Sequence, residues 1–226
     1  MSKYILPTYA RINISFTHGK GPWLYTQNKK KFLDFASGIA VNSLGHSNPL
    51  LIKALNEQSK KLWHTSNLYR ISEQEKAAKK LCKISFADNV FFCNSGAEAT
   101  DGVIKIIRKF HYANGNSKKK KVIVFDNAFH GRTLTGILAG SSKKHREGFL
   151  PHSKSSGGFI RTNFDSIDSL KNMITEETAG IFIEPIQGEG GINVIPKKYL
   201  TEMRKICNQH NILMALDEVQ CGIGRT

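Results

Sequence analysis

The chain has 226 residues, of which 40% are hydrophobic, so it is long and apolar enough to bury a core and is not a disordered protein. No segment approaches the length of a membrane span, and residues 1–8 contain no apolar signal-peptide core, so we expect a cytoplasmic protein without a membrane partner. The four cysteines lack paired metal-ligand spacing, which predicts no metal site and reduced thiols.

The formal net charge of +15 raises the possibility of a nucleic-acid-binding surface. Lysines are concentrated at residues 29–31, 118–121 and 143–144. These runs fall at predicted turns or element ends, have no interleaved aromatic residues and match no nucleic-acid-binding motif. We therefore interpret them as solvated surface lysines and expect no nucleic-acid partner.

The first predicted elements are a hairpin and two helices. Residues 19–35 alternate apolar and polar side chains around a lysine-rich turn, which predicts strands at 23–25 and 32–35. Asn48 and Pro49 are a typical N-cap and first-turn pair for a helix. Ser72 and Glu75 have the spacing of a capping box, which predicts a second helix that extends through residue 82.

From residue 90 onward, short apolar runs alternate with helical patterns. The runs do not alternate with polar residues, which is typical of parallel strands buried on both faces. The predicted strands are 90–93, 121–125, 180–183 and 212–216, and the predicted connecting helices are 97–113, 166–174 and 196–208. We predict an α/β fold with helices on both faces of a largely parallel sheet. The predicted domains are 1–60, a small-domain segment and linker, and 61–226, a large α/β domain.

Polar motifs follow these predicted strands, at the edge where open α/β sheets bind their ligands. Ser95, Gly96 and Ala97 follow the first strand and open a helix, so a hydroxyl and free backbone N–H groups converge where an anion is favoured. Small residues before a helix also form ordinary turns. This motif alone therefore leaves an anion site and a simple turn as alternatives.

Two further loops carry candidate ligand-binding side chains. Phe129 and Arg132 follow the second strand, where an aromatic ring can stack on a heterocycle and a guanidinium can bind a carboxylate. The alternative is that Phe129 belongs to the core and Arg132 to the surface. Glu189 lies in a glycine-rich loop after the third strand, where backbone can approach a ligand closely, and the alternative there is a solvated acid.

Asp217 ends the last apolar run and is the most informative residue. A buried carboxylate needs a cationic partner. The protonated ring nitrogen of pyridoxal 5'-phosphate (PLP) is such a partner, because an aspartate there keeps the ring an effective electron sink. Gln220 follows three residues later.

Taken in this order, the motifs resemble those of class III (subgroup II) PLP-dependent aminotransferases, and the resemblance covers essentially the whole chain. Further blocks that carry it are residues 7–9, 19–21, 34–42, 44–46 and 62–69. The resemblance implies the type I fold of PLP-dependent transferases, a small domain represented by its N-terminal part, and a homodimer when complete.

The resemblance also implies roles for individual residues. Those for the cofactor are phosphate binding by Ser95, Gly96 and Ala97, ring stacking by Phe129, pairing with the ring nitrogen by Asp217, and a bond to the ring hydroxyl from Gln220. Those for the substrate are α-carboxylate binding by Arg132, with Tyr9 as a helper, and charge compensation of a second arginine by Glu189. His130 is expected to line the pocket.

The implied reaction is transamination of N2-acetylornithine with 2-oxoglutarate, in arginine biosynthesis. Gly38 stands where ornithine aminotransferases have a bulkier aromatic residue, and the small residue fits an N-acetylated substrate. Ornithine, succinylornithine and succinyl-diaminopimelate stay open as alternative substrates. None of the lysines matches the family's Schiff-base lysine, which we expect beyond Thr226, so we predict no catalytic residue in this chain. We interpret the chain as an N-terminal fragment, and a non-catalytic remnant is the alternative.

Overall fold

The computed structural model describes residues 4–149 and 156–226. The chain forms two compact units, Met1–Val90 and Phe91–Thr226, which we call the N-terminal unit and the sheet unit. The predicted domain division after residue 60 groups residues 61–90 differently and stays a prediction. Within the described ranges, no helix is both long enough and apolar enough to cross a membrane.

The N-terminal unit contains a three-stranded antiparallel sheet. Its strands, in the order in which they pair, are β1 (Phe16–Lys20), β2 (Trp23–Thr26) and β3 (Lys31–Leu33). The predicted hairpin is confirmed as β2 and β3. Strand β1 was not predicted, because its glycine and polar residues give no apolar run, and it owes its conformation to pairing with β2.

Three helical segments follow: α1 (Ser37–Ala40), α2 (Pro49–Ser59) and α3 (Ser72–Ile84). The start of α2 is confirmed, because Asn48 accepts a hydrogen bond from the Leu50 N–H at 3.0 Å. Helix α3 begins where predicted, but its predicted capping box is wrong. The N-cap residue is Ile71, and Glu75 instead pairs with Arg70 at 2.8 Å.

Segment α1 is a left-handed turn. Its four residues have φ angles of 48°, 66°, 60° and 63°, and the Ala40 and Val41 N–H groups bond the Ala36 and Ser37 carbonyls, each at 2.9 Å. Left-handed helical backbone costs about 1–2 kcal/mol for each non-glycine residue. The cost is greatest for a β-branched side chain such as that of Ile39. Other contacts must therefore hold this turn.

The sheet unit is built on a four-stranded parallel sheet. The sheet itself contains β4 (Lys121–Phe125), β5 (Phe159–Thr162), β6 (Thr178–Ile183) and β9 (Leu213–Leu216). The unit also has a short antiparallel pair, β7 (Ile186–Gln187) and β8 (Asn193–Val194). The sheet order is β5-β4-β6-β9, with β7 and β8 forming a separate ribbon. The strands predicted at 121–125, 180–183 and 212–216 are confirmed. Strand β5 was not predicted, since it is short and contains Arg161.

The helices of this unit are α4 (Gly96–Ala113), α5 (Leu134–Ala139), α6 (Lys143–Arg146), α7 (Ile167–Asn172) and α8 (Lys197–Gln209). The helices predicted at 97–113, 166–174 and 196–208 are confirmed with shifted ends, and Pro196 is the N-cap of α8 and not its first residue. The short helices α5 and α6 were not predicted.

The core lies on both faces of the sheet. Val122 and Val124 pack on one face with Ile104 and Ile107 of α4. Residues of β4 that point the other way pack with α7 and α8, in a cluster that contains Ile123, Phe125, Leu170, Met203 and Ile206. All of these side chains are buried. The prediction of helices on both faces of a parallel sheet is confirmed.

The predicted strand at residues 90–93 is wrong. In the described part of the chain this segment pairs with no other strand, and Phe91 is 75% exposed. An apolar run becomes a strand only when its N–H and C=O groups meet those of a neighbouring strand. The apolar pattern was present without such a neighbour.

Candidate active site

Several loops of the sheet unit meet at the carboxyl edge of its strands. Gly131, after β4, packs so closely on the start of α4 that an added Cβ atom would lie 3.2 Å from the Ala97 Cα atom. At Gly96 an added Cβ atom would lie 2.7 Å from a methyl group of Val219, after β9. The structure thus brings together the predicted motifs around residues 96, 131 and 219.

The N-terminus of α4 is held by reciprocal side-chain contacts. The Ser95 hydroxyl accepts from the Glu98 N–H at 3.2 Å, and the Glu98 carboxylate accepts from the Asn94 N–H at 2.6 Å. The N–H groups of Gly96 and Ala97 belong to the first helical turn, which has no carbonyl partners within the helix. Since the Ser95 oxygen accepts, its proton can still be donated. These groups are suited to bind an anion.

Asp217 forms a buried pair with His130. The distance from Asp217 Oδ2 to His130 Nδ1 is 2.7 Å, and the two side chains are 7% and 0% exposed. Asp217 Oδ1 accepts from the Val219 N–H at 3.1 Å, and the His130 ring stacks on Phe182 with centroids 4.1 Å apart. Sequence reasoning placed His130 only in the pocket lining and missed this pairing, because 87 residues separate the partners.

Glu184 is a second buried acid at this edge, directly after β6. Its Oε2 atom accepts from the Phe129 N–H at 2.9 Å, which fixes the backbone of the candidate stacking residue. Burial raises the pKa of Glu184 to about 7, the charges of Asp217 and Glu189 add to that rise, and the hydrogen bond from Phe129 opposes it. Near neutral pH this carboxyl group therefore holds a proton for part of the time.

A cavity of about 380 Å³ opens beside these residues. Phe129, His130 and Glu189 line it, together with His145, whose ring meets the Phe129 ring edge-on at 6.2 Å. Two of the predicted site residues, Phe129 and Glu189, therefore share one cavity. Phe129 is partly buried there, and Glu189 is exposed.

The other predicted site residues lie as follows. Gln220 is exposed, and its side-chain oxygen lies against the Cα of Gly188. Arg132 follows Gly131 and is exposed. Tyr9 belongs to the N-terminal unit and is 50% exposed. Of the predicted substrate residues, Glu189 lines the cavity, and Arg132 directly follows the cavity-lining Gly131 in the chain.

Arg161, which sequence reasoning missed, supports the wall of the cavity. Its guanidinium donates to the carbonyls of Phe125, Leu138, Ala139 and Gly140, at distances of 3.2, 3.0, 3.3 and 2.7 Å. These bonds join the end of β4 to the end of α5, next to cavity-lining Gly140. Arg161 was missed because it lies in β5, a strand that was not predicted.

The model of the family described as aminotransferase class-III matches residues 4–226. The acetylornithine aminotransferase of Mesorhizobium japonicum is 52% identical over 219 residues, which are 97% of this chain and 54% of the relative. The enzyme of the same name from Methanocaldococcus jannaschii is 46% identical over 224 residues, 99% of this chain and 56% of the relative.

Solved structures show the same similarity. The ornithine aminotransferase of Toxoplasma gondii, which has partial occupancy of PLP at its active site, matches with a TM-score of 0.90 and 30% identity, over 97% of this chain and 52% of that one. The N-acetylornithine aminotransferase of Stenotrophomonas maltophilia matches with a TM-score of 0.81 and 36% identity, over 96% and 54%. The chain spans about half the length of the relatives that it matches.

Proposed function

The chain belongs to the class-III aminotransferase family, whose members depend on PLP, and on that premise we propose that the protein containing it transfers an amino group from N2-acetylornithine to 2-oxoglutarate. The products are N-acetylglutamate 5-semialdehyde and glutamate, as a step of arginine biosynthesis. Because the chain spans about half of its relatives' length, this reaction is proposed for the protein that contains it.

The observation that carries the proposal is the buried Asp217 carboxylate beside the N-terminus of an 18-residue helix, α4. Two demands of PLP are met by this pair of features, an acid for the ring nitrogen and N–H donors for the phosphate. Gly96 and Gly131 let these loops approach one another closely, since a side chain at either position would push Val219 or Ala97 away. The residues present therefore fit PLP.

We assign cofactor binding to six residues: Ser95, Gly96 and Ala97 for the phosphate, Phe129 for the ring face, Asp217 for the ring nitrogen and Gln220 for the ring hydroxyl. When bound, PLP supplies an electron sink for the carbon that carries the amino group.

His130 positions Asp217 and does not itself transfer a proton in this proposal. Its Nδ1–H donates to one carboxylate oxygen, and the Val219 N–H donates to the other, so the carboxylate cannot rotate freely. An ionised, oriented Asp217 holds a proton on a nearby ring nitrogen, since the negative charge favours the cationic form. Burial of both side chains excludes water and strengthens that attraction.

For the substrate, we propose that Arg132 binds the α-carboxylate of the amine through a two-pronged hydrogen-bonded ion pair, with Tyr9 as a helper. Glu189 neutralises a second arginine until 2-oxoglutarate or glutamate displaces it. Gly38 leaves room for an N-acyl group. Ornithine, succinylornithine and succinyl-diaminopimelate are the competing amines for the same chemistry.

Three further statements stay predictions. None of the lysines of the chain matches the lysine motif of the family, so we expect the 226-residue chain by itself not to transaminate. A homodimeric assembly and a cytoplasmic location are also expected for the complete protein. Gel filtration, cell fractionation and an activity assay of both lengths test them.

The deciding experiment compares kcat/KM of the complete protein for the four amines, each with 2-oxoglutarate. We expect the highest value for acetylornithine. Arg132→Ala should lower that value at least about tenfold, while Arg204→Ala, which changes an exposed arginine on α8, should leave it unchanged. A higher kcat/KM for another amine, or an Arg132→Ala enzyme as active as the original, would contradict the assignment.

A further inference from the structure

Asp34 and His46 form a close pair in the N-terminal unit. The distance from His46 Nε2 to Asp34 Oδ2 is 2.7 Å, and the side chains are 20% exposed for His46 and 9% for Asp34. The pair lies in the wall of a second cavity, of about 350 Å³, which Ser37 and Asn42 also line. The two residues stand on either side of the left-handed turn α1 in sequence.

Asp34 fixes the backbone at the start of this turn. Its Oδ1 atom accepts from the N–H groups of Ala36 and Ser37, at 3.1 and 2.8 Å, while Oδ2 meets His46. The hydrogen bond from His46 and the bond from the Ser37 N–H lower the pKa of Asp34. The aspartate therefore stays ionised and keeps all three donors.

His46 fixes the position of the chain after the turn. Its N–H and C=O groups exchange hydrogen bonds with Gly21, at 2.8 and 2.9 Å, so its backbone is anchored to the turn between β1 and β2. Its ring rests on the bare Cα of Gly19, where an added Cβ atom would lie 2.6 Å from the ring. The ring cannot leave Asp34 without breaking this packing.

The turn between these anchors is strained. Gly38 adopts its φ of 66° without steric cost, but Ser37, Ile39 and Ala40 do not. Those three residues would be relieved by a change to right-handed backbone. A change of φ at any of them would redirect the chain that follows, whereas Asp34 fixes the residues before the turn and His46, beyond it, is bonded to Asp34 and anchored to Gly21. The contacts that oppose relaxation therefore converge on the aspartate and its histidine partner.

We propose that Asp34 and His46 are a latch that holds the turn at residues 37–40 left-handed and thereby positions Gly38 for selection of the amine substrate. The first half rests on the geometry alone. The second half rests on the proposed function, since Gly38 matters for selection only if the protein discriminates among ω-amines. Both residues act through the turn and are positioning residues.

Hydrogen exchange tests the latch, using the complete protein and the amides of residues 36–42. His46→Ala should speed their exchange about tenfold or more, whereas His46→Gln, which keeps a donor for Asp34, should stay within about threefold of the original. Adding Ala40→Gly to His46→Ala should restore protection, because glycine removes the left-handed penalty. Ala54→Gly, in right-handed helix α2, is the matched control and should restore nothing. Unchanged exchange in His46→Ala would overturn the latch.

Kinetics test the role in selection. His46→Ala should lower the ratio of kcat/KM for acetylornithine to kcat/KM for ornithine at least about fivefold, and Ala40→Gly should recover it. A faster exchange with an unchanged ratio would overturn the positioning role. A complete protein that transaminates neither amine would defeat the proposed function, and the exchange result would still decide on the latch.

Discussion

His130 Nδ1 lies 2.7 Å from Asp217 Oδ2, which joins a loop after β4 to the residue that follows β9. Both side chains are buried, so the Asp217 carboxylate is held by a protein partner and not by bulk water. A pair of this kind, once broken, leaves a buried charge uncompensated. The stability of the carboxyl edge of the sheet should therefore depend on it.

Replacing His130 by Ala should lower the free energy of unfolding by about 3 kcal/mol, because a buried ring is lost and Asp217 loses its partner. His145→Ala is the control, since that ring also lines the cavity but is exposed, and it should change the value by less than about 0.5 kcal/mol. Urea unfolding measures both. Equal effects of the two substitutions would contradict this reading of the pair.

Ser95 should separate helix capping from phosphate binding. Ser95→Ala removes the acceptor for the Glu98 N–H and should cost about 1 kcal/mol of stability. Ser95→Asp keeps a cap but adds a negative charge where we place a phosphate. The aspartate variant should thus unfold like the original yet bind PLP at least about tenfold more weakly. Titration of PLP followed by protein fluorescence, with urea unfolding alongside, tests this; unchanged PLP affinity in Ser95→Asp would exclude the phosphate assignment.

Gly102 weakens α4 without a packing reason. It lies in the helix interior, and among the described residues an added Cβ atom would meet only a Phe91 ring atom, at the ordinary contact distance of 3.9 Å. Gly102→Ala should therefore raise the free energy of unfolding by about 0.5–1 kcal/mol.

Gly136, in α5, is the opposite case and the matched control for that change. There an added Cβ atom would lie 2.7 Å from the His130 carbonyl oxygen, so Gly136→Ala should destabilise the protein. Thermal unfolding of both variants gives the comparison. Stabilisation by both substitutions would show that the close packing of α5 on residue 130 is wrong.

Glu184 should make stability depend on pH. Its folded pKa is raised from an ordinary 4.5 to about 7, so the folded state binds a proton that the unfolded state has lost between these values. The contribution of Glu184 to the free energy of unfolding is therefore fully present below pH 4.5. It is lost as the pH rises through 7, and the loss is on the order of 3 kcal/mol. Glu184→Gln still accepts from the Phe129 N–H and should abolish this part of the dependence. Urea unfolding between pH 5 and 8 decides; parallel curves for both proteins would refute the raised pKa.

Patterns within one element could be predicted from the sequence. The apolar runs of β4, β6 and β9 and the cap at Asn48 each depend on neighbouring residues, and all are confirmed. The predictions that failed depend on partners elsewhere in the chain. Residues 90–93 have the apolar pattern of a strand without a pairing neighbour, and β5 is a strand because it pairs with β4.

The same distinction applies to the candidate site. Asp217 could be singled out because a carboxylate at the end of an apolar run is unusual locally. Its partner His130 and the carbonyl contacts of Arg161 could not, since they bridge loops that only the sheet brings together. The left-handed backbone at Ser37, Ile39 and Ala40 also gave no signal, because only Gly38 is of a residue type suited to it.

The position of β9 has a consequence for biosynthesis. Strand β9 pairs with β6 at one edge of the sheet, and Asp217 comes directly after it. During translation, β4, β5 and β6 can associate before residue 213 has left the ribosome, while His130 and Glu184 still lack their neighbour. Contacts between residues far apart in sequence, such as His130 and Asp217 at a separation of 87 residues, form slowly. The nascent sheet should therefore keep this edge open, as a target for chaperones, and form the pair between Asp217 and His130 only after residue 217 has emerged.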